Sequence, residues 1–123
     1  MMKRVLVVDD SRIVLEKALE VLACRGYEVF TALSADAADA IIYGKTRPDI
    51  IILDVMMPVL DGDKKASILK ADDSTKEIPI LLMSSKPESE LAALAEESGA
   101  DGYIRKPFTF SEMVLKIESA SQA

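Results

Sequence analysis

The chain has 123 residues, half of them apolar and 29% charged, with a net charge of −6. That is the composition of one globular domain, and it argues against a disordered chain and against a surface built for direct nucleic-acid contact. One cysteine and no histidine exclude a disulfide framework, a zinc centre, a catalytic triad and a histidine base, so any chemistry must run on carboxylates, hydroxyls or lysine.

The first apolar run, Arg4 to Val8, reads as strand β1. Met1-Met2-Lys3-Arg4 precedes it, but the run ends at two aspartates. It is far shorter than the roughly 7–15 apolar residues of a signal peptide. No later stretch approaches the ~20 apolar residues of a membrane span. The expectation is a cytoplasmic domain without membrane contact.

Asp10 or Ser11 can cap helix α1. Leu15, Ala18, Leu19 and Leu22 recur at helical spacing up to Arg25, with Gly26 as the stop. Cys24 reads as a small hydrophobe on this helix. Glu28 to Ala32 is β2. Ser34 caps α2, with Ala38, Ile41 and Ile42 inward and Gly44 at its end.

Ile50 to Leu53 is β3, four large apolar residues without interruption. Such a run suits a strand buried on both faces in a parallel sheet. Asp54 stands where the chain leaves it. The turn Met56-Met57-Pro58-Val59-Leu60-Asp61-Gly62 follows, and Asp61 is placed to cap α3, which runs to about Ala71. Only Ala66 and Leu69 are clear inward positions on α3.

Ile78 to Met83 is β4, with Pro79 near its start. Glu88 to Ser98 is α4, with Leu91, Leu94 and Ala95 inward and Gly99 as the stop. Gly102 to Arg105 is β5. Lys106-Pro107 breaks it, and Thr109 caps α5, whose face is Phe110, Met113, Val114 and Ile117, with fraying expected from Ser119. Five strands alternating with five helices predict an α/β fold: a parallel sheet, helices on both faces, right-handed crossovers.

In such a sheet the strand ends share one edge. Asp9-Asp10 end β1, Asp54 ends β3, Ser84-Ser85 end β4 and Lys106 ends β5. Taken singly, the aspartates can be helix caps, the serine a loop residue and the lysine a solvated turn. Together, if β1 lies beside β3 and β4 and β5 lie on the other side of β3, they converge on one crevice. Two like charges ~4 Å apart repel by roughly 4 kcal/mol at an effective dielectric near 20. Three carboxylates against one ammonium therefore call for a cation. An all-oxygen donor set selects a hard ion such as Mg²⁺ or Mn²⁺.

Four motifs, in order, resemble the receiver domains of two-component response regulators. They are Val7-Val8-Asp9-Asp10-Ser11, then Asp54-Val55-Met56-Met57-Pro58-Val59-Leu60-Asp61-Gly62, then Ile78-Pro79-Ile80-Leu81-Leu82-Met83-Ser84-Ser85, and Gly99-Ala100-Asp101-Gly102-Tyr103-Ile104-Arg105-Lys106-Pro107-Phe108. The resemblance covers essentially the whole chain, so residues 1–123 would be a single receiver domain. It implies a doubly wound, flavodoxin-like sheet of order 2-1-3-4-5. It implies that Asp54 is the phosphoacceptor, and that Asp10, Asp54 and the backbone carbonyl of Met56 bind Mg²⁺, with Asp9 acting through water. Ser84 would hydrogen-bond the phosphoryl group, Lys106 would pair with it, and the Lys106-Pro107 bond is a candidate for cis. Ser84 and Tyr103 would form the switch. The implied donor is a sensor histidine kinase or phosphotransferase. The reader is a downstream protein or an output domain, docking on the face formed by α4, β5 and α5. Such a domain is no enzyme beyond its own phosphorylation and slow dephosphorylation.

Lys65 and Ala66 depart from the family, whose members often have larger apolar residues there. Three other readings compete. A receiver that docks a partner constitutively, without regulation by phosphorylation, would not need the full set Asp9, Asp10, Asp54, Ser84 and Lys106. An aspartate-dependent phosphohydrolase usually carries a second acid two residues after its nucleophile, where this chain has Met56. A flavin carrier would have its phosphate repelled by Asp9-Asp10.

Overall fold

The computed structural model describes residues 3–121. Five parallel strands lie in the order β2-β1-β3-β4-β5. The strands are β1 Arg4–Val8, β2 Glu28–Ala32, β3 Ile50–Asp54, β4 Ile80–Ser84 and β5 Gly102–Arg105. Between and after them run α1 Arg12–Cys24, α2 Ala35–Ile42, α3 Gly62–Ala71, α4 Glu88–Ser98 and α5 Phe110–Ser121. The expected order and alternation are both present.

Side-chain alternation along the strands divides the core in two. Leu6, Val8, Ile51, Leu53, Ile80 and Leu82 meet α2, α3 and α4 through Ala38, Ile42, Leu69 and Leu91. Val5, Val7, Ile50, Ile52, Leu81 and Met83 meet α1 and α5 through Leu15, Leu22, Met113 and Ile117. Every residue of β3 is buried, Asp54 included. That is why its apolar run is unbroken where an edge strand would alternate.

Register sets the site. Val8 lies opposite Leu53, and Asp54 lies opposite Met83. β1, β3 and β4 therefore end almost level, and the residues just beyond their apolar runs meet.

Several local expectations shift. β4 begins at Ile80, not Ile78. Ile78 instead donates its N–H to the Thr75 carbonyl in the preceding turn, 3.0 Å away. Pro79 has no N–H to give; its carbonyl accepts from Ile51 at 3.0 Å. Asp54 belongs to β3 itself. Leu19 is 43% exposed, because Leu15, Ala18 and Leu22 already fill the stripe facing the sheet. Ser11, not Asp10, caps α1, accepting from Val14 N–H at 3.4 Å. Asp61 holds the capping position of α3 without a side-chain bond. Thr109 caps α5 as expected, in a reciprocal pair with Glu112. α5 continues to Ser121, past the expected fraying point; residues 122 and 123 lie outside the described residues.

α3 reads as weakly amphipathic because one of its inward positions is Lys65, only 5% exposed. Its ammonium pairs with Asp39 on α2. A charged group thus fills the place of an apolar one, and its partner lies 26 residues away.

Candidate functional site

Asp9 extends the β1 ladder by one residue, donating its N–H to the Ala32 carbonyl at 3.1 Å. Its carboxylate is buried and used twice. Oδ1 accepts from Ser11 N–H at 2.9 Å, and Oδ2 meets Lys106 Nζ at 2.8 Å. The turn-forming role that Asp9 could have on its own is therefore real, and it coexists with an ion pair. Asp10 is exposed at the mouth of the site. Carboxylate oxygens of Asp9, Asp10 and Asp54 lie within 4.8 Å of one another.

Asp54 closes β3. The next residue, Val55, donates to the Met83 carbonyl at 2.9 Å, and Gly62 then donates to the Val55 carbonyl at 2.9 Å. The loop between them returns directly to the strand end. Met56 lies in it with its side chain exposed. Val59, at its tip, is fully exposed and has φ 71°, the left-handed region. Val is poorly suited to that region.

Lys106 arrives from β5. Its N–H donates to the Ser84 carbonyl at 2.8 Å, and the Lys106–Pro107 peptide is cis. Nζ bridges Asp9 at 2.8 Å and Asp54 Oδ1 at 3.2 Å. Ser84 is buried at the end of β4, its Oγ accepting from Lys86 N–H at 3.0 Å.

Tyr103 is not joined to Ser84 by a hydrogen bond. Its hydroxyl donates to Glu88 Oε1 at 3.3 Å, and Lys116 Nζ stands 5.2 Å from its ring centroid. The ring belongs to the surface between α4 and α5. Neither Glu88 nor Lys116 was legible as its neighbour, because nothing in their spacing from Tyr103 signals contact. Gly62 was also missed as a positioning residue, although a glycine opening a helix is a usable signal.

The electrostatics match this crowding. Burial pushes the Asp54 pKa up to about 6, the Asp9 charge adds to the rise, and Lys106 opposes it. Burial pulls the Lys106 pKa down, but its pairing with Asp9 and Asp54 outweighs this and leaves it raised. One ammonium does not neutralise three carboxylates, so the cluster can hold a metal ion, and its donors are all oxygen.

A family profile described as "Response regulator receiver domain" matches residues 5–118. The chain belongs to the response regulator receiver family. Among curated relatives, this receiver is 39% identical over 117 residues to the transcriptional regulatory protein PrrA of Mycobacterium leprae, covering 94% of this chain and 48% of PrrA. It is 37% identical over 117 residues to the phosphate regulon transcriptional regulatory protein PhoB of Pseudomonas aeruginosa, covering 95% of this chain and 51% of PhoB. Among solved structures, the chemotaxis response regulator CheY4 of Vibrio cholerae superposes with a TM-score of 0.89 at 32% identity, over 98% of this chain and 99% of CheY4. The receiver is thus a regulatory domain of two-component signalling. It spans about half the length of the curated relatives it matches. Those relatives are named as transcriptional regulators, so the expectation of no nucleic-acid contact gains no support from them. Among the described residues, no helix is long and apolar enough to cross a membrane.

Proposed function

We propose that this receiver accepts a phosphoryl group on Asp54 and passes the event to a partner. The observation that carries the reading is the Lys106 ammonium, held between the carboxylates of Asp9 and Asp54. An aspartate is already an anionic nucleophile at neutral pH and needs no histidine to activate it. Its obstacle is repulsion by the incoming dianionic group. One oxygen of Asp54 attacks phosphorus as the bond to the donor's histidine nitrogen breaks, and the nitrogen keeps that electron pair. Lys106 offers its N–H groups to an equatorial oxygen of the transferring group. Ser84, freed from the Lys86 N–H, donates to another. Asp9, Asp10, Asp54 and the Met56 carbonyl are the groups that would hold a Mg²⁺ ion, which supplies positive charge to the phosphoryl oxygens.

The donor in this reading is a sensor histidine kinase or phosphotransferase, and residues 1–123 form one cytoplasmic receiver. The reader is a downstream protein or an output domain. Phosphorylation replaces the single negative charge of Asp54 with a phosphoryl group of roughly −1.5 to −2 beside Ser84. Movement of that hydroxyl opens space for Tyr103 to leave Glu88, altering the surface of α4, β5 and α5. The reading is supported by the presence of every expected polar group at one sheet edge.

Acetyl phosphate with Mg²⁺ and intact-mass detection tests it. One phosphoryl group should appear on wild type, none without a divalent cation, and none on Asp54→Asn. Full labelling of Asp54→Asn would remove Asp54 from its role. Amide exchange should change around Leu91, Tyr103 and Arg105; changes confined to α2 and α3 would rule out the proposed reader face.

A further inference from the structure

A cavity of about 700 Å³ opens between the start of α2 and α3, lined by none of the acidic-site residues. Its walls include Asp36, Asp39, Val59, Leu60, Lys65 and Ile68. The volume falls within the roughly 300–1,000 Å³ range of small-molecule sites.

Two polar links tie α2 to α3 and the turn after it. Lys65 pairs with Asp39, and the Tyr43 hydroxyl donates to Asp72 Oδ2 at 3.0 Å. Asp36 lies one turn before Asp39 on α2 and, among the described residues, has no partner. The Lys65–Asp39 pair forms a wall of the cavity, and the Tyr43–Asp72 link holds the helices one turn further on. The cleft is therefore fastened at one end, which suits a compact molecule better than a helix lying along a groove.

The remaining walls are mostly apolar: Ala35, Pro58, Val59, Leu60 and Ile68, with Ser34 beside them. Ile68 is half exposed, and Val59 is fully exposed in a conformation unfavourable to a β-branched residue. Among the described residues none covers Val59 to offset that strain, and such strain clusters at active sites, switch regions and ligand clamps. The charge balance selects the sign of the occupant. Lys65 compensates Asp39, and Asp36 remains. Asp36 is exposed in the first turn of α2 without an ion-pair partner among the described residues, and an anion would meet its carboxylate.

We propose that this cavity binds a small amphipathic organic cation. Its apolar body rests on Val59, Leu60 and Ile68, and its ammonium or guanidinium group pairs with Asp36. Val59 and Leu60 belong to the loop between Asp54 and Gly62, so an occupant touches the element that follows the acidic site.

Proton–nitrogen correlation NMR on the full chain tests this with three probes of one shape: phenylbutylamine, phenylbutanol and phenylbutyrate. The amine should shift amides within residues 34–39 and 58–68 saturably at millimolar concentration. The alcohol should bind more weakly, and the carboxylate weakest. Asp36→Asn should reduce amine affinity about fivefold, as for an exposed ion pair, and leave the alcohol unchanged. Val59→Gly should weaken amine and alcohol alike. Equal binding of amine and carboxylate overturns the proposal, as does an Asp36→Asn variant that binds the amine normally. So does failure of the amine to saturate, including the case where only a basic helical peptide moves these amides. The readout is binding, so it succeeds or fails regardless of the chemistry at Asp54.

Discussion

A β-carbon on Gly62 would lie 2.1 Å from the carbonyl oxygen of Asp54. No backbone contact of that kind is tolerated, so only glycine lets α3 begin against the end of β3. Gly62→Ala must push the helix start away, and the loop carrying Met56 moves with it. The expected cost is about 2–3 kcal/mol, typical of overpacking. Urea melts should show the loss, and acetyl phosphate labelling should slow. An unchanged midpoint would mean that α3 is free to retreat.

Asp54 is the best place to read the charge balance. Its folded-state pKa is raised to about 6 from 3.8, so between these values the folded protein binds more protons than the unfolded chain. Stability therefore falls as pH rises from about 4 to about 6, and the loss persists above that. Asp54→Asn removes this slope. In EDTA at pH 7 the variant should be more stable than wild type by about 1–3 kcal/mol, the upper end being the full shift and the lower allowing for Lys106 losing a partner. Millimolar Mg²⁺ should narrow the gap by stabilising the wild-type cluster through mass action. Urea melts across pH 4–8 check it. A less stable Asp54→Asn in EDTA, with no Mg²⁺ effect on wild type, would mean that the aspartates are ordinary turn residues.

Lys106 opposes the rise at Asp54. In metal-free Lys106→Met, the Asp54 carboxyl should titrate above its wild-type midpoint. Carbon-detected NMR of the side-chain carboxyls measures this directly. A downward or absent shift would contradict the bridging position of the ammonium.

Val59 offers a test in the opposite direction. A left-handed backbone costs an L-residue with a β-carbon roughly 1–2 kcal/mol. Glycine removes that cost but gains unfolded-state freedom worth about 0.4–1 kcal/mol. Val59→Gly should therefore stabilise the protein by about 0.5–1 kcal/mol. A higher urea midpoint at unchanged slope is the expected result; a lower one would show that the valine side chain contributes packing.

The Lys65–Asp39 pair predicts an asymmetry between its partners. Lys65→Met replaces a buried ammonium with an apolar chain of similar length, and such replacements are often neutral or stabilising. Asp39→Ala leaves the ammonium buried and alone. It should be less stable than Lys65→Met by about 2 kcal/mol, below the usual cost because Asp39 is partly exposed. Equal melts for the two variants would show that Lys65 reaches water when unpaired.

The alternation of five strands with five helices was legible in the residues alone, and so was the polar group at each strand end. The run Ile50–Leu53 suits a strand buried on both faces, and strands alternating with helices predict a parallel sheet; the doubly wound order came from the resemblance. Parallel strands share one edge, and the order β2-β1-β3-β4-β5 is what brings Asp9, Asp10, Asp54, Ser84 and Lys106 together along it. How they meet is a matter of long-range packing. Which carboxylates Lys106 bridges depends on strand register and on the path from β5, and neither is written in local spacing. The same holds for Lys65. Its neighbours on α3 mark the position as inward, but the carboxylate that makes a buried ammonium tolerable comes from another helix. Gly62 was legible as a helix start and not as a close approach, because steric contact between two backbones has no signature in either segment alone. Leu19 fails for the converse reason. Helical period permits it to face inward, and the width of the sheet face it would meet decides that it does not.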